Sequence, residues 1–194
     1  AVQSNENPDS VRARTLLVDL YNRVGDVDKG YEVMLGMQKD FPRVAGLIVG
    51  HVEFACYDAK YPLLPIENVS SRLEAAKFGY GAIVTVAGSL KEISNGTCKN
   101  VSVEYLLEII YALQRNPAYA KKSRMLKGYE ATIYVAQSRV GDALSVLSSI
   151  ELAPEQWATY ISLLATNGEL KRAVEVSDKG LKALNSRPQY DVFY

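Results

Sequence analysis

Residues 16–42 read LLVDLYNRVGDVDKGYEVMLGMQKDFP, and this stretch decides the fold. Leu17, Leu20 and Tyr21 lie three or four apart, the spacing of one face of a 3.6-residue period, until Gly25-Asp26 breaks the rhythm. Gly30, Met34 and Met37 resume it, and Phe41-Pro42 closes the unit. Two short helices folded back on each other satisfy this pattern. A hairpin of that size cannot bury both of its apolar faces, so it calls for a neighbour of its own kind. The expected fold class is therefore all-α, an α-solenoid of antiparallel helix hairpins with about ten helices, some units degenerate.

Working outward, residues 1–9 are polar and expected to be disordered, and Pro8-Asp9-Ser10 supplies a helix start. Helices are expected at about 10–24, 28–40, 43–58, 66–78, 82–93, 101–115, 117–139, 144–150, 154–166 and 169–184. Tyr61-Pro62-Leu63-Leu64-Pro65 cannot be helical, because each proline drives its predecessor to an extended backbone. Residues 82–86, AIVTV, would also serve as a strand, but their surroundings offer no partner strand. Residues 10–186 are thus expected to form one repeat domain, followed by a tail, 187–194, carrying Tyr190, Phe193 and Tyr194.

Bulk properties exclude several functions. The 194 residues hold 22 Lys plus Arg against 22 Asp plus Glu, so no field draws nucleic acid or anionic lipid. No apolar run approaches the length of about 20 residues that spans a bilayer. The chain begins at Ala1 rather than at methionine, and is expected to be a soluble segment excised from a longer protein. No nucleophile elbow, phosphate loop or zinc-binding helix motif occurs, so neither catalytic residues nor cofactors are expected. His51, the sole histidine, sits on an apolar helix face and reads as a hydrogen-bonded core or rim residue. With two cysteines and one distant histidine, no metal site is expected.

Cys56 and Cys98 are the only cysteines. If helices alternate up and down, both fall on one edge of the stack, where a bridge would close a loop of about 40 residues. Two unrelated thiols, one buried on a helix face, would fit equally well. The sequons at Asn68, Asn95 and Asn100 read as chance triplets. The 13 tyrosines suit either inter-helix packing or a groove lined with amphipathic rings.

Leu17, Tyr21, Gly25, Gly30 and Pro42 resemble a tetratricopeptide repeat, and Trp157, Tyr160, Leu164, Gly168, Ala173 and Gly180 resemble a second. In a third, degenerate copy, Gly141-Asp142-Ala143 brings glycine and alanine only two apart, which implies a shortened turn. The resemblance implies a noncatalytic scaffold that binds protein or peptide on a concave face. In the first unit that face would present Arg12, Thr15, Asp19 and Asn22.

The order Gly25-Asp26, Pro42, Cys56 after a histidine-bearing helix, Cys98 before Leu106-Leu107, and Leu113-Gln114-Arg115-Asn116-Pro117 also resembles the soluble C-terminal region of bacterial O-antigen ligase and polymerase-type membrane proteins. That resemblance implies an alternative role, a periplasmic accessory domain of a membrane-embedded glycan ligase or polymerase, contacting glycan or acceptor protein. The compartment would then be periplasmic or another oxidising part of the envelope; a cytoplasmic scaffold is the alternative.

Overall fold

The computed structural model describes residues 8–185. It is all-helical there: α1 Pro8–Arg23, α2 Val27–Asp40, α3 Ala45–Val49, α4 His51–Tyr57, α5 Ile66–Glu74, α6 Tyr80–Ser94, α7 Val103–Arg115, a 3-10 segment Pro117–Lys122, α8 Ser123–Ala136, α9 Val140–Ser148, α10 Pro154–Thr166 and α11 Leu170–Asn185. Among the described residues there is no strand, only the isolated bridge Val44–Lys77. Residues 82–86 are helical, as their lack of a partner strand requires. The expected disordered start falls largely outside the described residues, as does the tail 187–194. The chain divides into two compact units, Ala1–Ser123 and Arg124–Tyr194.

In the first unit, α1 and α2 run antiparallel. Arg14 near the start of α1 pairs with Asp40 at the end of α2, while Asn22 near the end of α1 meets Gly30 near the start of α2. A Cβ on Gly30 would lie 2.6 Å from the Asn22 amide oxygen, so a larger residue there would require the Asn22 side chain to turn away. Asp26 caps α2 by accepting the Lys29 amide. The face that α1 turns inward carries Val18, which packs with Val27 and Tyr31 on the cluster Met34, Phe54 and Tyr61. Leu17 and Leu20, read from spacing as part of the apolar face, are 39% and 57% exposed, and Leu16 and Val24 are also exposed. The inward stripe is set by Val18 and its neighbours in contact with α2, one position round the helix from the leucines.

Helices α3 and α4 are one helix interrupted at Gly50, which keeps right-handed helical angles (φ −58°, ψ −27°). This composite runs alongside α6 in the same direction, since Gly46 meets Gly81 and Glu53 meets Thr85. Likewise α5 runs with α7: the Leu64 carbonyl meets Tyr105 at one end, and Glu74 meets Arg115 at the other. Leu73, Leu106, Ile109, Ile110 and Leu113 are fully buried along that contact.

The fourth expected helix, 66–78, stops at Glu74. Asn116 takes the freed carbonyls of Leu73 and Ala76 through its amide nitrogen at 2.6 and 2.9 Å, and the Lys77 amide leaves the helix for the Arg43 carbonyl at 3.0 Å. The seventh, 117–139, divides into the 3-10 segment and α8. Pro117 opens the segment, the Asn116 side chain accepts the Ala118 amide at 2.8 Å, and fully buried Tyr119 exchanges two hydrogen bonds with the Gly79 backbone. The tighter winding of the 3-10 segment shifts the phase of α8. Leu126, Glu130, Ala131, Ile133 and Tyr134 form its buried face, while Val135 and Ala136 are exposed.

In the second unit, α8 and α9 are antiparallel, with Lys127 beside Ser149 and Arg124 beside Glu151. So are α10 and α11, with Tyr160 bonded to Arg172 and Trp157 against Gly180, where a Cβ would lie 3.0 Å from the indole. The turns at 25, 138 and 168 have the same hydrogen-bond pattern. Gly25, Ser138 and Gly168 adopt φ of +81°, +58° and +81°. The next amide in each turn reaches the carbonyl five residues back: Asp26 to Tyr21, Arg139 to Tyr134 and Glu169 to Leu164, at 2.8 to 2.9 Å. Gly30, Ala143 and Ala173 stand five residues beyond in every case. The shortened turn read from Gly141-Asp142-Ala143 is thus corrected. Ser138 occupies the glycine position, the spacing is five, and Gly141 lies inside the first turn of α9.

Candidate functional site

In the first unit, α1, α3, α4 and α6 enclose a trough. Its largest cavity, about 340 Å³, is walled by Val11, Thr15 and Val18 of α1 and by Val84 and Thr85 of α6. Met34 and Met37 of α2, Val44 just before α3, and Leu47, Glu53 and Phe54 of α3 and α4 line it as well. Gly46, Gly50, Gly79 and Gly81 also line it, and this stretch without side chains serves as its floor. A Cβ on Gly46 would come within 3.3 Å of the Gly81 Cα, so α3 and α6 touch backbone to backbone.

Two smaller cavities adjoin. One, about 160 Å³, lies between Asn22, Val27, Glu53, Phe54 and Tyr57. The other, about 300 Å³, is bounded by Glu53, Cys56, Tyr57, Glu92, Thr97 and Cys98. Glu53 is common to all three, so the cavities border one another around that side chain. A volume near 300 Å³ reaches the lower end of ligand-sized pockets.

Two of the four concave-face residues expected from sequence come to this depression. Thr15 lines the main cavity, its hydroxyl donating to the Val11 carbonyl at 2.9 Å, and Asn22 lines the second cavity. Arg12 and Asp19 are exposed and line none of the three; Asp19 instead pairs with Arg23 at 2.9 Å. Sequence reasoning missed Val11, Val18, Glu53 and Val84. The small residues of 79–88 were the available signal, since glycines facing a helix permit such close approach.

The charge of the lining has one sign. Glu53 and Glu92 are the lining carboxylates, and no lysine or arginine lines any of the three cavities. One oxygen of Glu53 accepts the Thr85 hydroxyl at 2.7 Å, and Glu92 accepts the Thr97 hydroxyl. Tyr57 stands one turn beyond Glu53 on α4 and is 70% exposed.

Two devices hold α4 in place. Cys56 and Cys98 form a disulfide, with a Cα separation of 4.4 Å, that ties the end of α4 to the turn after α6. Asn100 adds a hydrogen bond to the Ala55 carbonyl at 3.2 Å. From the other side, His51 is fully buried. Its Nδ1 lies 2.9 Å from the Ile48 carbonyl and its Nε2 2.8 Å from the Tyr105 hydroxyl, which in turn lies 2.8 Å from the Leu64 carbonyl. Burial pushes the imidazole down to about 4, with Arg72 adding to the effect and the Ile48 carbonyl opposing it. Burial likewise raises the Tyr105 phenol, helped by the charge of Glu67.

Among the described residues no group of histidine, cysteine, aspartate and glutamate is arranged to hold a metal ion, and no helix is long and apolar enough to cross a membrane. Comparison with protein-family models, curated proteins and solved structures found no match.

Proposed function

We propose that this chain is a noncatalytic helical-repeat module of tetratricopeptide type that binds an extended polypeptide. The glycine-floored apolar trough between α1, α3, α4 and α6 is the observation that supports the reading. An extended strand needs room for its backbone and alternating pockets for its side chains, and helices in contact through glycines provide a floor it can approach. The lengthwise pairing of the α3/α4 composite with α6, and of α5 with α7, suits stacked hairpins in which like helices adjoin, as does the repeated turn at 25, 138 and 168.

Val84→Arg tests it. Val84 is 55% exposed on α6, so the arginine enters the trough without disturbing the core. Screening an array of short extended peptides should yield binders to the native protein, with affinity falling at least about tenfold in the variant while its melting temperature stays within about 2 °C. Peptides that bind both proteins equally would refute the trough as the site.

The disulfide favours a second reading, in which the module works in an oxidising envelope compartment as the accessory region of a membrane-embedded glycan ligase or polymerase. The polypeptide held would then be an acceptor protein. Several apolar stretches of about 20 residues encoded upstream in the same reading frame would support it; a signal peptide leading directly into this chain would refute it.

A further inference from the structure

We infer that the trough selects polypeptide segments bearing a lysine or arginine among apolar residues, the cation seated between Glu53 and Tyr57. This rests on the peptide-binding reading and adds to it the chemistry of the partner.

Three observations carry it. The wall is apolar over its largest cavity, which favours hydrophobic side chains, yet all three cavities converge on one carboxylate, Glu53. Neither Glu53 nor Glu92 has a lysine or arginine partner among the described residues, whereas Arg14–Asp40, Lys60–Asp28 and Arg115–Glu74 all pair on the surface of the same unit. The depression thus carries carboxylates without an ion-pair partner among the described residues, although the whole chain is balanced. Finally, Tyr57 follows Glu53 by four residues on α4 and so shares its face, bringing an aromatic ring beside the carboxylate. Carboxylate plus ring is a setting that attracts an ammonium or guanidinium, by ion pairing and by the negative face of the ring. Such a seat repels a peptide with an acidic residue at the same register, which gives selectivity by charge. The second oxygen of Glu53 is left for the ligand, since the first is already held by Thr85 at 2.7 Å and the side chain is thereby fixed.

The test uses the oxidised chain and fluorescein-labelled peptides of alternating valine and serine with one central residue: lysine, norleucine or glutamate. Fluorescence anisotropy should show the lysine peptide binding about tenfold tighter than the norleucine peptide, with the advantage shrinking as salt rises. Glu53→Gln keeps the acceptor for Thr85 and should bring the lysine peptide down to the norleucine level without moving the norleucine value. Equal binding of lysine and norleucine peptides, both lost in Val84→Arg, would overturn the cation seat and leave the trough standing. Binding unchanged in both variants, or no binding of any peptide, would overturn both. Displacement of the lysine peptide by spermine at equal amine concentration would also overturn the inference, since a free polyamine would then suffice.

Discussion

His51 carries one ring proton when neutral, and Tyr105 carries one hydroxyl proton, yet the pair is engaged in three contacts, with Ile48, with each other and with Leu64. A third proton would complete the set, but a charge in that dry interior costs more than the extra bond returns, so the ring stays neutral. The consequence is a sign that can be checked. The imidazole is depressed from 6.5 in the unfolded chain to about 4 in the fold, so stability is complete above pH 6.5 and is lost as pH falls towards 4. The gap corresponds to about 3 kcal/mol at most. Urea unfolding measured across that window should show the fall, and His51→Gln, although less stable at neutral pH, should flatten it. An unchanged slope in the variant would assign the acid sensitivity to other groups. A hydrogen-bonded place for His51 in the core or at its rim was legible in the sequence from the apolar helix face, and the structure puts it in the core. The role of Tyr105 was not, because the two are 54 positions apart and no local pattern links them.

At the scale of the element, the turn at Ser138 shows how far spacing alone can be trusted. The hairpin rhythm of residues 16–42 was readable because glycine marks the left-handed position, and at Gly168 it was readable again. Serine gives no such mark, so the sequence pointed to the nearest glycine, Gly141, and missed the turn by three residues. A serine held at φ +58° carries a strain that glycine avoids. Ser138→Gly should therefore stabilise the second unit by about 1 kcal/mol, raising its melting temperature by about 4–8 °C. No gain in a thermal scan would mean that the serine hydroxyl compensates locally. The same limit of local signals explains where α5 ends and α8 begins. Those bounds are fixed by Asn116, Tyr119 and Gly79, residues distant in sequence that claim backbone groups a longer helix would keep.

For the whole molecule, the all-helical class was legible from periodicity, while the division at residue 123 left no compositional trace. The Cys56–Cys98 bridge spans 42 residues entirely within the first unit. By loop-closure arguments its reduction should cost about 4 kcal/mol. Hydrogen exchange before and after reduction should place the lost protection within residues 8–123, with α10 and α11 keeping theirs. Loss of protection throughout 124–185 would show instead that the two units unfold as one. Of the residues lining the trough and its neighbouring cavity, the sequence pointed to two α1 positions, Thr15 and Asn22. It could not foretell Glu53, whose importance comes from the meeting of three cavities rather than from any neighbour in the chain.

Gly46 and Gly81 have a further bearing on how such a protein can change over generations. Main chain already rests on main chain there, so a Cβ at Gly46, 3.3 Å from the Gly81 Cα, would press the two helices apart by a few tenths of an ångström. Under the proposed peptide-binding reading, preference would be retuned through the flanking side chains, Val11 and Val84 above all. Homologues should accordingly vary on the banks of the channel and stay invariant along its bed.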